Sequence, residues 1–214
     1  MPTTPIYLEA GPKKTFAVAV DWPGWSRAGR NADEAIKTLA EYAERYASVP
    51  KRAGIRFPLS TADSFEVVET VTGNATTDFG APGIVADVDR TVPAAPARRR
   101  LAALTEASWA VFDDVRAITP EHLVKGPRGG GRDRDTMFDH VLGAESSYVR
   151  HIGVRHKQPK FDEAEAIAAL RADTVAAILS PPDDIRWPLP YLVRRLVWHV
   201  LDHAWEMEDK TPRP

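Results

Sequence analysis

The apolar pattern changes character near residue 90, and this change constrains the fold more than any other feature. Before it, the segments 15–25 (TFAVAVDWPGW) and 64–73 (SFEVVETVTG) are rich in Val, Phe and Thr, which favour β-strands. Between them, 31–46 has the apolar spacing of a helix. We expect the order strand, strand, a short third strand over 25–29, helix, strand.

After residue 90 the pattern is helical. The segment 87–100 is a proline- and alanine-rich connection that runs into a helix. Four amphipathic stretches follow, over 98–118, 134–153, 161–180 and 190–209. Such helices with modest connections are typical of an antiparallel four-helix bundle. The predicted fold class is α+β: a small sheet-and-helix domain over 1–90, then a four-helix bundle over 91–214. A fragment beginning near residue 92 is expected to fold on its own.

Two histidines, His199 and His203, lie four residues apart in the most apolar helical stretch, RRLVWHVLDHAWEMEDK (194–210). Side chains at this spacing share one side of a helix, with Cβ atoms about 6 Å apart. Both imidazoles can therefore bind one divalent ion, whose bonds to nitrogen are about 2.0–2.1 Å long. Histidine pairs at this spacing also occur by chance, and they then serve only as hydrogen-bonding groups. Because two ligands bind an ion weakly, a third ligand on another helix would favour metal binding over this alternative.

His140 is the candidate third ligand. It lies at the border of the apolar face of the 134–153 helix, beside the small residues Ala144 and Ser147, which leave room above an ion. Three histidine ligands leave coordination positions for water or substrate, which is the arrangement of a catalytic ion. Imidazole nitrogen accepts zinc, nickel, copper and iron alike, so the spacing does not choose the metal.

The TPEHL turn (119–123), the helix RDTMFDHVLGAESSYVRHIG (134–153) and the last helix carry a family resemblance. Over about 96–210 the chain resembles the DinB-like superfamily of bacterial four-helix proteins. The resemblance implies a divalent metal ion, most often zinc or nickel, on the three histidines. Some members are thiol-dependent transferases or isomerases that use mycothiol or bacillithiol, and many have no known activity. Because the chain has no cysteine, thiol chemistry here would need an external low-molecular-weight thiol.

Glu145 is the predicted catalytic acid or base. It falls within the apolar stripe of its helix, where an unpaired carboxylate is costly. A partner is therefore expected, among Arg194, Arg195 or a metal-bound water, and a purely structural ion pair is the alternative. Asp139 and Asp202 are candidates to orient the ligand histidines, or else they only solvate their helix faces.

The N-terminal half carries a second resemblance. The segment 16–46 combines a strand, a Pro-Gly turn, a strand and a helix, and over about 5–75 the chain is similar to the HicB-like antitoxin pattern. In toxin–antitoxin pairs that domain binds a ribonuclease toxin, so the resemblance implies a protein partner. Because this chain continues into helices, the alternative is a scaffold that packs against the bundle or mediates a homodimer.

Composition excludes several classes of partner. Lys and Arg number 28 and Asp and Glu number 30, a net charge of -2, so no broad basic field favours nucleic acid or an anionic membrane. The arginines in 97–100 and the glycine-rich segment 126–132 (GPRGGGR) are interpreted as a solvated helix start and a flexible connection. No apolar run has the roughly 18 residues of a membrane span, and no signal core is present, so we expect a cytoplasmic protein.

These features predict a divalent-metal-dependent enzyme, either a thiol transferase or isomerase or a hydrolase, acting on a small-molecule substrate at the three histidines. The alternative is a non-enzymatic binding or regulatory protein in which residues 1–90 recognise a partner. A metal ion that only stabilises the fold is the third interpretation.

Overall fold

The computed structural model describes residues 3–126 and 131–212. That part of the chain contains four strands and eight α-helices, with short 3₁₀ turns between some of them. The strands are β1 (Thr4–Ala10), β2 (Thr15–Ala19), β3 (Ser26–Gly29) and β4 (Phe65–Thr72). The helices are α1 (Ala32–Glu41), α2 (Ala43–Tyr46), α3 (Ser48–Arg52), α4 (Ala75–Phe79), α5 (Ala95–Ile118), α6 (Arg134–Tyr148), α7 (Ala164–Leu179) and α8 (Leu189–Lys210).

The strands form one sheet in the order β3-β2-β1-β4. β1 pairs with β2, and β2 with β3, in antiparallel fashion, whereas β1 and β4 are parallel. Parallel neighbours need a long connection, and helices α1 to α3 supply it. The expected order of three strands, a helix and a fourth strand is confirmed, although the helix over 31–46 is interrupted at Tyr42. The Asn31 side chain accepts a hydrogen bond from the Glu34 amide and so caps α1.

The four predicted long helices are present as α5, α6, α7 and α8. The second is shorter than expected, because a 3₁₀ turn replaces the α-helix over Val149–Ile152 and Gly153 then ends it with a φ of 87°. Helix α5 contacts α7 and α8, and α6 contacts α8. The structure is therefore a sheet with helices, while the four-helix bundle is not established. The glycine-rich connection lies partly outside the described residues, since 127–130 are not among them. No helix of the described chain is long and apolar enough to cross a bilayer.

Helix α8 packs against elements from both halves of the chain. Residues of the sheet, of α1 and of the long helices belong to one buried apolar cluster that includes its apolar side chains. The turn before β3 presses directly on the helix: a Cβ on Gly24, whose φ is 90°, would lie 2.6 Å from Val197 and 2.7 Å from Leu201. Only glycine permits this approach and this φ. On the same side, the Arg27 guanidinium donates to Asp202 at 2.8 Å.

A buried ion pair fixes α8 to the segment that joins the two halves. Arg194 of α8 and Asp89 of the 3₁₀ turn Asp87–Arg90 are in direct contact, with side chains 5% and 0% exposed. Arg194 also donates to the Val20 carbonyl oxygen at 2.8 Å. The apolar cluster and this ion pair both join residues from before and after residue 90. The boundary between 1–90 and 91–214 therefore stays a prediction, which unfolding experiments test.

We predict that Asp89→Asn destabilises the protein by about 3 kcal/mol, because it leaves the Arg194 charge buried without a counter-ion. The measurement is the free energy of unfolding in urea. The matched control is Asp87→Asn in the same turn, whose side chain is 87% exposed and should change stability by less than about 0.5 kcal/mol. Equal stability of the two variants would contradict the role of the pair. A single transition in each would indicate that the halves unfold together.

Candidate metal centre

Three histidine side chains meet between α6 and α8. His140 comes from α6, and His199 and His203 come from successive turns of α8. One nitrogen of each lies within 4.8 Å of the others, and the Nε2 atoms of His140 and His199 are 3.3 Å apart. Two nitrogens on one ion lie at most about twice the bond length apart, roughly 4 Å, so small side-chain rotations suffice to bind it. The three predicted ligands are thus brought together and could hold a metal ion.

The three rings are not equally buried. His199 and His203 are buried, whereas His140 is half-buried. Burial, followed by the nearby charges of Arg132 and His203, lowers the pKa of His140 to about 4. Burial, with His203 next in size, also holds the pKa of His199 well below its usual range. Neutral imidazole is the form that binds metal, so these two ligands need not lose a proton at neutral pH.

Glu206 supports the third ligand, and the sequence interpretation missed it. Its carboxylate lies 2.7 Å from Nδ1 of His203, which leaves Nε2 of that ring for a metal. The bond to His203 lowers the pKa of Glu206 to about 2, with Lys210 adding to the effect. A carboxylate that holds the second nitrogen of a ligand histidine is the usual arrangement at metal sites. The three residues therefore fit a metal ion, and the i+3 spacing from His203 was the available signal.

The two aspartates predicted to orient the ligands are engaged elsewhere. Asp202 accepts from Arg27, and Asp139 accepts from the Phe161 amide at 2.7 Å. Neither makes a hydrogen bond to a ligand histidine within the described residues, so of the two alternatives the orienting role is not supported. Both side chains face other segments of the chain, and helical periodicity does not predict which segments pack against a given helix face.

Glu145 is buried, as its place in the apolar stripe predicts, but neither of the two expected arginines is its partner. Its carboxylate accepts from Nε1 of Trp109 on α5, and the nearest balancing charge is Arg171 on α7. Arg194 pairs with Asp89, and Arg195 donates to a backbone oxygen instead. No hydrogen bond in the described chain joins Glu145 to the histidines. Its contacts are those of an interior carboxyl group, and its catalytic role stays a prediction.

An arginine lies beside the histidines and is held by the N-terminal half. Arg195 donates to the Pro82 oxygen at 2.7 Å and lies 5.5 Å from the centre of the Tyr148 ring. The loop containing Pro82 is itself fixed to β1, because the Glu9 carboxylate accepts from the amides of Gly83 and Ile84 at 2.9 and 3.0 Å. Tyr148 in turn lies 6.0 Å from His199, between ring centres. His140, His199 and His203 form a histidine triad. Its environment is positive, since the charges of Arg195 and Arg132 both lower the pKa of His199.

Scans of the chain against protein-family models, curated proteins and solved structures give no match. The interpretation of the site therefore rests on its own geometry.

We predict that Glu206→Gln weakens zinc affinity by about tenfold to a hundredfold, because the substituted amide no longer stabilises the His203 ring with a charge. Competition titration with a chromophoric chelator measures this affinity. Glu208→Gln is the matched control, since Glu208 pairs with Arg45 and not with a histidine. Equal affinities for both variants would remove Glu206 from the site.

We predict that Glu145 makes stability fall as pH rises. Burial raises the pKa of Glu145 from 4.5 to about 7, so between these values the folded protein holds a proton that the unfolded chain has released. The destabilisation develops from about pH 4.5 to pH 7 and reaches about 3 kcal/mol above it. Urea unfolding at pH 5 and pH 8 measures this. The free energy of unfolding of Glu145→Gln, relative to that of the wild type, should be higher at pH 8 than at pH 5. The exposed control Glu106→Gln should follow the wild type at both pH values. Parallel profiles for Glu145→Gln and the wild type would contradict this.

Proposed function

We propose that this protein binds a divalent metal ion through His140, His199 and His203 and acts as a metal-dependent enzyme on a small molecule. The observation that carries the proposal is the convergence of three imidazoles from two helices, with Glu206 behind one of them. A purely structural interpretation gives no reason for three imidazoles, two of which have pKa values lowered by burial, to share one place.

A bound ion would act there as a Lewis acid that polarises an electrophile or lowers the pKa of a bound water or thiol. The chain's own residues supply the rest of the site. Glu206 fixes the His203 ring, and the half-buried His140 is the most exposed of the three ligands. Arg195, fixed by the Pro82 oxygen, adds a positive charge beside His199 that favours an anionic ligand group.

The class of reaction rests on the resemblance to the DinB-like superfamily. We propose zinc or nickel as the ion, an antiparallel four-helix arrangement of α5 to α8, and a thiol transferase, isomerase or hydrolase activity. Since the chain contains no cysteine, the thiol would be an external low-molecular-weight thiol. A Glu145 role in proton transfer belongs to this proposal only if a rearrangement brings its carboxyl group away from Trp109.

A binding role for the HicB-like half is the second candidate. β4 is an edge strand of the sheet, and its Val67 and Val68 are each 43% exposed. Edge strands with exposed apolar side chains can pair with an extended segment of a partner. This role would survive loss of the histidines, which separates it from the enzymatic one.

We predict that His140→Ala, His199→Ala and His203→Ala each lose most of the metal that the wild type retains when purified without a histidine tag, because two imidazoles hold an ion weakly. Elemental analysis for zinc and nickel measures this. His122→Ala is the control, since that side chain is 83% exposed and lies outside the triad. Added zinc should raise the melting temperature of the wild type and the control only, because a ligand that binds the native state stabilises it. Equal metal content in all five proteins would refute the proposal.

A further inference from the structure

A second cavity, of about 560 Å³, lies outside the histidine triad. It is bordered by the turn after α6 and by the loop before α8. The lining residues are mainly basic: Arg150, His151, Gly153, Arg155, His156, Asp184 and Arg186. Its volume is within the usual range for small-molecule sites, about 300–1,000 Å³. None of the three candidate metal ligands lines it.

The three arginines of this cavity have no anionic partner in the described chain. Arg150, Arg155 and Arg186 make no salt bridge and no side-chain hydrogen bond to any residue that the structure describes. Several arginines elsewhere are paired, as Arg171 is with Asp113. Three exposed guanidinium groups line this one concave surface, and Asp184 is the single carboxylate among its lining residues. The guanidinium groups repel one another, and an anionic ligand would relieve that repulsion.

The charge of the cavity matches a dianion. Three arginines and Asp184 sum to +2 when both histidines are neutral. Burial, with Arg186 second, lowers the pKa of His151, which keeps that ring neutral. The carboxylate of Asp173 lies 2.8 Å from Nε2 of His156 and offsets any charge that ring carries.

The walls of the cavity are fixed without a ligand. The backbone amide of Arg186 donates to the His151 oxygen at 2.8 Å, which joins the two bordering loops. The His151 ring is stacked on Trp187, with centres 4.1 Å apart and planes 3° from parallel. Gly153 adopts a φ of 87° at the turn between them. The backbone that carries Arg150 and Arg186 is therefore held in place without a ligand.

We propose that this cavity is a binding site for a small phosphate-bearing molecule. Guanidinium groups donate paired hydrogen bonds to phosphate oxygens, and a phosphate group accepts from several arginines at once. The concave shape and the overall charge of -2 favour a small molecule over the extended backbone of a nucleic acid.

Isothermal titration of the full-length protein with inorganic pyrophosphate tests the proposal. Arg150→Gln, Arg155→Gln and Arg186→Gln should each weaken binding by about tenfold or more, because a hydrogen bond to a charged group contributes at least that factor. Arg99→Gln removes the same charge from an exposed helix position outside the cavity and should bind like the wild type. His203→Ala should also bind like the wild type, because the triad does not line the cavity.

Four outcomes overturn the proposal. No detectable binding at low ionic strength removes the site. If Arg99→Gln weakens pyrophosphate binding as much as the cavity variants do, binding depends on the net charge of the protein and not on the cavity. Loss of binding in His203→Ala places pyrophosphate on the metal centre. Tighter binding of citrate or of a single-stranded oligonucleotide, with the same dependence on the three arginines, assigns the cavity to a carboxylate or to nucleic acid instead of a phosphate-bearing small molecule.

Discussion

The rest of the structure depends on the burial of α8 between the sheet and the long helices. Fifteen of its twenty-two residues are buried, and they include both of its histidines. A helix enclosed in this way cannot rotate or slide without breaking apolar contacts on several sides. Gly24 lets the N-terminal turn reach its surface, and Asp89 neutralises the buried Arg194. The directions of His199 and His203 are consequences of that enclosure.

The two basic regions of the helical half differ in how their charges are managed. At the triad, burial lowers the pKa of His140 and His199, and the carboxylate of Glu206, paired with Lys210, lies behind His203. In the cavity bordered by Arg150 and Arg186, Asp184 offsets only one of three positive charges. The two regions are close neighbours, because Trp187 under His151 contacts Tyr148, and Tyr148 contacts His199.

Helical periodicity carried much of the sequence interpretation. The four long helices, and the sharing of one helix side by His199 and His203, follow from spacing alone. His140 could be added because its own helix placed it at the edge of an apolar stripe. The partner of Glu145 is Trp109, and the partner of Asp202 is Arg27. Both partners lie on other elements, far away in sequence, so helical periodicity could not predict them. The arginine-lined cavity was also missed, because two irregular loops form it and periodicity has no information about loops.

The length of chain between contacting residues has a kinetic consequence. Arg27 and Asp202 are 175 residues apart, and Val20 and Arg194 are 174 apart, so the contacts that enclose α8 close nearly the largest loops available to this chain. Contacts between residues so distant in sequence slow the search for the native topology. The enclosure that sets the directions of His199 and His203 is complete only when the first strands and the last helix meet. The geometry of the metal centre therefore depends on contacts between nearly opposite ends of the chain.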